Sequence, residues 1–298
     1  AGANHRQEVY MLIRIVPHFM RLHEWIALED RLFEQEGLEP ELLSDVMHDV
    51  SGHRESSYFE RPQDRPFVER KEVANSACEW GSVCNAGAGM GHFVPDLYGV
   101  ARHAIFVAPT SRFQRLADLG GVPVGVGLMA GSHFTALRTL ETVLPREGIK
   151  VANVGGPGRR LEALLSGEID VANLLDPEIP IAQARGFRAL AVGEFRTLFW
   201  VSPTLSQDAL GPYFRVLERA DGALRADPAS YMHLWANNVP PALAGNYDYS
   251  EFGRGELLVF DPYPEAAFAD ALAFARRWGL DKEVRERRFE ALASHVLV

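Results

Sequence analysis

The feature that most constrains this chain is an alternation of short apolar runs with helix-spaced segments, sustained from Val9 to Val201. Strands and helices that alternate in this way specify an α/β protein. Val9–Val16 (VYMLIRIV) reads as a first strand, stopped by Pro17. Across Arg21–Glu36 the apolar residues Leu22, Trp25, Ile26, Leu32 and Phe33 fall on one helical face, and Gly37 suits the C-terminal turn. Further strands are expected at Leu38–Leu43, Glu72–Val83, Ala101–Ala108, Val122–Gly127, Val151–Val154, Ile169–Asn173, Ala189–Val192 and Leu198–Val201. Helices are expected from Gly131 to about Leu144, at Arg159–Ser166 and Ile179–Arg185, then at Tyr213–Leu224 and Pro264–Gly279. Ser51–Arg70 is polar, holds two prolines and reads as a long loop, and Gly245–Asp261 is aromatic and loop-rich.

A chain of 298 residues exceeds the usual size of a single core, so two lobes are expected. The alternation divides the chain into 1–108, 109–198 and a helix-rich 199–298 that returns to the first lobe. Ligand then belongs between the lobes, where strand ends and helix N-termini converge. A net charge of −10 shows no basic surplus for nucleic acid. Two cysteines exclude a disulfide scaffold and a four-cysteine zinc module. No run of 18 apolar residues is present, so no membrane span is expected. The opening Ala1-Gly2-Ala3-Asn4 carries no signal-peptide pattern. That start fits a processed periplasmic or extracytoplasmic form, or a leaderless cytoplasmic protein.

Three segments resemble one family. RLHEWIALEDRLFEQEGLEPEL, SRFQRLADLGGVPVGV and RRLEALLSGEIDVANLLDPE stand in the order and at the separations found in type II periplasmic binding proteins of the nitrate, sulfonate and thiamine-pyrimidine branch. The resemblance implies a two-lobed fold with an interlobe cleft, a small-molecule ligand, an ABC-transporter permease as possible partner, and no cofactor. The family's second lobe-one helix is replaced here by the 51–70 excursion and VANSACEWGSVCNAGAGMG. The same fold also serves cofactor-free enzymes: aromatic sulfinate desulfinases, thiaminase I and thiamine-pyrimidine synthases. Fold therefore leaves function open.

The candidate ligand-binding residues are His18, His23, Cys78, Glu79, Trp80, Gly131, Ser132, His133, Asp176 and Glu178. In a strand, Cys78, Trp80, Ser82 and Cys84 share one face and Glu79 the other. Cysteines six apart in such a strand lie about 20 Å from each other, too far for a disulfide. Either cysteine is equally read as a buried apolar residue. His18 and His23 flank the first helix, and His53, His92 and His133 also fall in loops or at helix starts. Gly131-Ser132-His133 opens a helix after a buried strand, a setting for an anionic oxygen. The resemblance points to the same loop. Asp176-Pro177-Glu178 is a ligand contact or an ordinary helix start. Trp80, Tyr98, Phe134, Phe199 and Trp200 either line the cleft or pack in the core.

No His-x-x-x-His or Glu-x-x-His pattern supports a metal, and none is expected. Gly87–Gly91 departs from the dinucleotide fingerprint because His92 stands at its last glycine position. The first expectation is a solute-binding protein for a small anionic or heteroaromatic ligand. The alternative is a cofactor-independent lyase, desulfinase or decarboxylase, with Cys78 as nucleophile or proton donor and His23 or Glu178 as base. A ligand-sensing protein is the third class.

Overall fold

In the computed structural model, which describes residues 10–48, 64–69 and 71–296, the apolar runs pair into one ten-stranded sheet. The chain begins β1 (Met11–Ile15), α1 (His23–Glu29), α2 (Leu32–Gln35), β2 (Leu38–Leu42), α3 (Ser44–His48) and α4 (Arg65–Val68). It continues β3 (Ala74–Cys78), α5 (Glu79–Gly87), β4 (His92–Phe93), β5 (Tyr98–Val107), β6 (Pro123–Val126) and α6 (Gly131–Leu140). Then come β7 (Lys150–Asn153), α7 (Pro157–Ser166), β8 (Val171–Leu175), α8 (Glu178–Ala184) and β9 (Arg188–Val201). The last part holds α9 (Gln207–Ala226), β10 (Leu257–Val259), α10 (Glu265–Arg277) and α11 (Phe289–Leu292).

The main path of the sheet runs β2-β1-β3-β9-β5-β8-β6-β7. Its two ends are parallel, β1 with β2 and β3, and β6 with β7 and β8. Between them β5 and β9 pair antiparallel from Gly99 opposite Thr197 to Val107 opposite Arg188. Each of these strands has one half in either end. Tyr98–Val100 pairs with β10 while His103–Val107 pairs with β8, and Thr197–Val201 pairs with β3. Alternate residues feed two apolar cores. Ala104 and Phe106 belong to one with α1 and α9, and Ile105 and Val107 to the other with α5, α6 and α10.

Three expectations change. The helix expected over Arg21–Glu36 is two helices, because Arg31 adopts a left-handed φ of 56° after the acidic pair Glu29-Asp30. Acidic side chains at a helix C-terminus oppose its dipole, so the helix stops there. The strand expected over Glu72–Val83 ends at Cys78, and Glu79–Gly87 is helical. All nine residues of α5 are buried, which removes the polar stripe that would have revealed a helix. The strands expected at Ala189–Val192 and Leu198–Val201 are one strand, β9. Gly193 does not break it: a Cβ there would meet His103 Nε2 at 2.6 Å, so the glycine makes room for the imidazole.

Val9, His53 and residues 51–63 of the expected loop lie outside the described residues, and 64–69 contain the one-turn α4. Among the described residues no helix is long and apolar enough to cross a membrane. The glycine-rich 87–91 ends α5 and turns into β4, with Gly91 at φ 77°.

Candidate functional site

A cleft opens where the carboxyl ends of β1, β3, β6 and β7 face the N-termini of α5, α6 and α7. Its empty space, counted out through the mouth into solvent, is about 850 Å³. One wall is the 16–20 segment after β1 together with Asn75–Cys78 of β3. The facing wall is built by Gly127–Gly131, Gly155–Pro157 and Arg160, with Leu175 and Phe195 between. This is the strand-end crevice that open α/β sheets use for ligands.

Of the candidates read from the sequence, His18, Cys78 and Gly131 line this cleft. The Cys78 side chain caps α5, its sulfur accepting the Gly81 N–H at 3.3 Å, and its Cβ lies against Gly131 at the start of α6. Cys84 is buried in the core on α5. The imidazole of His18 holds Glu256 through Nδ1···Oε2 at 2.5 Å. Glu256 is 238 residues away in sequence and fully buried. Burial raises its carboxyl, but His18 and Arg21, with the Thr197 hydroxyl donating to it, hold it down at about 2. Its seat is tight: a Cβ on Gly99 would come within 2.0 Å of Glu256 Oε1.

The other candidates stand away from the cleft lining. His23 is buried and pairs with Asp221 at 2.8 Å. Glu79 accepts the Tyr263 hydroxyl at 2.9 Å, and burial raises its carboxyl. Trp80 stacks on Phe134 with ring centres 5.6 Å apart. Ser132 is buried behind the 127–131 loop, its hydroxyl accepting the Gly127 N–H at 3.0 Å, and Ala130 is the N-cap. His133 Nδ1 accepts the Met129 N–H, and burial lowers its imidazole to about 4. Asp176 forms a two-bonded pair with Arg102 at 2.7 Å. Glu178 is buried, one carboxylate oxygen has no hydrogen-bond partner, and burial pushes its carboxyl up to about 8. Phe19 and Phe195 are the aromatic rings in the lining, and Trp80, Tyr98, Phe134, Phe199 and Trp200 lie elsewhere.

Three polar residues that line the cleft, Arg160, Ser76 and Asn75, were not singled out from the sequence. Arg160 is 1% exposed. Its Nε donates to the Asn173 carbonyl at 2.9 Å and its Nη1 to the Gly155 carbonyl at 2.7 Å, while Nη2 has no hydrogen-bond partner. Burial lowers the guanidinium to about 10, so it keeps its charge at neutral pH. Ser76 is the second: its hydroxyl is buried in the opposite wall, also without a partner. Buried polar groups are ordinarily satisfied, so two orphans in one cleft call for an external partner. A signal for Arg160 was legible. On α7 it sits four residues before Leu164, on the buried stripe where a charge is out of place. Glu256 has no such signal, because only the fold brings it to His18.

Among the described residues no group of three or more His, Cys, Asp or Glu side chains is placed to hold a metal. No family model matches the sequence, and no curated protein matches it either. Solved structures do. The alkanesulfonate-binding protein SsuA from Xanthomonas axonopodis pv. citri, bound to MOPS, is 18% identical, with TM-score 0.68 over 95% of this chain and 98% of that one. A Candida albicans protein described as having the generic periplasmic binding protein structural fold gives 0.71 at 6% identity, over 97% and 98%. The desulfurization enzyme DszB gives 0.62 at 16% identity, over 96% of each chain. With its sheet order and interlobe cleft, the chain therefore has the type II periplasmic-binding-protein fold that its three sequence segments resemble.

Proposed function

We propose that this protein is a solute-binding protein whose lobes, 1–108 with 199–298 and 109–198, close on a small organic anion. The observation that carries the reading is Arg160, a buried cation with two nitrogens anchored on carbonyls and a third unpartnered. Its nearest counter-charge, Glu178, takes up a proton below about pH 8 and so leaves the guanidinium uncompensated at neutral pH. Among the described residues no carboxylate lines the cleft, whose ionisable side chains are His18, Cys78 and Arg160. The N-terminus of α7, a ten-residue helix, adds its positive dipole end on the same wall. SsuA, of the same fold, is a sulfonate-binding protein, and the ligand class proposed here is organic sulfonates, sulfinates or carboxylates. An ABC-transporter permease as partner and an extracytoplasmic location belong to this reading.

Calorimetric titration with alkanesulfonates, alkanesulfinates and alkanecarboxylates tests it, with alkylamines of the same length as controls. Saturable one-to-one binding confined to the anions is expected. Binding of amines with equal affinity would remove the reading.

One observation favours a second reading, a cofactor-independent enzyme. Cys78 stands at a helix N-terminus, accepts a backbone N–H and lines the same cleft as His18, a setting that stabilises a thiolate. DszB, of this fold, is a desulfurization enzyme. Alkylation of the two cysteines, followed against pH by peptide mass spectrometry, separates the readings. The enzyme requires Cys78 to react at neutral pH in the folded protein while Cys84 does not. Protection of both until unfolding leaves the binding protein.

A further inference from the structure

We propose that the ligand is a short dianion, held at one end by Arg160 and at the other by His18, with Glu256 positioning the imidazole. The inference rests on the anion-binding reading above and specifies its ligand.

His18 belongs to a buried charge cluster. Glu256 contacts His18 at 2.5 Å and Arg21 Nη1 at 3.4 Å, and Arg21 also holds Glu24 with its Nη2 at 2.6 Å. The Tyr213 hydroxyl donates to Glu24 at 2.9 Å, and that of Thr197 donates to Glu256. Two carboxylates thus face one guanidinium. In a buried setting an uncompensated charge is costly, and besides Arg21 the basic side chains that act on these carboxylates are His18 on Glu256 and His23 on Glu24. His18 is the member of that cluster that lines the cleft. Its Nδ1 is committed to Glu256, so the remaining ring N–H serves the ligand.

The cleft therefore carries two cationic donors on facing walls. His18 follows β1 at one end of the sheet, and Arg160 lies on α7 at the other. The rest of the lining is largely apolar, with Phe19, Met20, Leu128, Leu175 and Phe195. Among the described residues no lining carboxylate offers a counter-charge to an ammonium, so a zwitterion fits poorly. A short alkyl body with an anionic group at each end satisfies both cations and the apolar wall.

Propane-1-sulfonate and 3-sulfopropanoate share a backbone length and differ in the second anionic group. Calorimetry on the wild-type protein should give at least tenfold tighter binding of 3-sulfopropanoate. In His18→Gln the ratio of the two affinities should fall to near one, and Glu256→Gln should lower it because the imidazole loses the partner that holds its ring in place. A ratio near one in the wild type means that both cations grip a single head group, and overturns the inference while leaving the anion reading intact. A preference that survives His18→Gln overturns it too. Failure of both compounds to bind overturns the anion reading and this inference together.

Discussion

Replacing Arg160 by methionine should weaken binding of a small organic anion by roughly thirtyfold to several thousandfold. Truncating one side of a buried, hydrogen-bonded charge pair costs about 2–5 kcal/mol, and each 1.4 kcal/mol is a factor of ten. The fold should survive the change. Methionine keeps the length that packs beside Leu161 and Leu164, and it removes a charge whose burial already lowers its pKa to about 10. Against that gain stand the Asn173 and Gly155 carbonyls, which lose their donors. The two effects oppose each other, so the melting temperature should move far less than the affinity. Arg160→Lys should bind with intermediate affinity, because one ammonium replaces a planar fork that holds two carbonyls and offers a third nitrogen. Wild-type affinity in Arg160→Met would place the anion elsewhere.

Glu178→Gln should raise stability at pH 8 and leave it little changed at pH 4. The carboxyl sits at about 8 in the folded protein against an ordinary 4.5, because it is buried with one oxygen unpartnered. Above pH 4.5 the unfolded chain has released a proton that the folded chain still holds. The stability contribution of Glu178 is therefore complete below pH 4.5 and falls steadily as pH rises to 8. The shift corresponds to several kcal/mol, roughly 1.4 kcal/mol for each unit. Glutamine is neutral in both states and removes the loss. Thermal melts of the two proteins from pH 4 to pH 8.5 should diverge progressively, with the variant higher. Parallel curves would mean that Glu178 ionises in the fold as it does in water.

A residue that lowers stability yet sits beside the cleft cation is where local rules and fold disagree, and such places concentrate at functional sites. The sequence made some of this legible. The strand–helix alternation identified the sheet, and the glycine-led start of α6 was found because a buried strand precedes it. The start of α5 was not, since a helix buried on every side has no polar stripe to betray its period. That error placed Cys78 in mid-strand, when it is the cap that turns β3 into α5. The site divided in the same way. Cys78, His18 and Gly131 stand at strand ends and helix starts, positions that local pattern locates. His23 and Asp176 stand at similar points, but each is bonded to a neighbour chosen by tertiary packing, Asp221 and Arg102, while His133 is tied to the Met129 amide four residues before it. No spacing rule distinguishes a histidine that meets Glu256 from one that meets Asp221.

Everything proposed above turns on whether the cleft holds an anion through Arg160. A crystal structure grown with the tightest-binding sulfonate or carboxylate tests it most directly. The anionic oxygens are expected within hydrogen-bond distance of the Arg160 guanidinium, with the Ser76 hydroxyl as a further donor from the opposite wall. An anion bound outside the cleft, or inside it with Arg160 untouched, would rule out Arg160 as the anion-binding group.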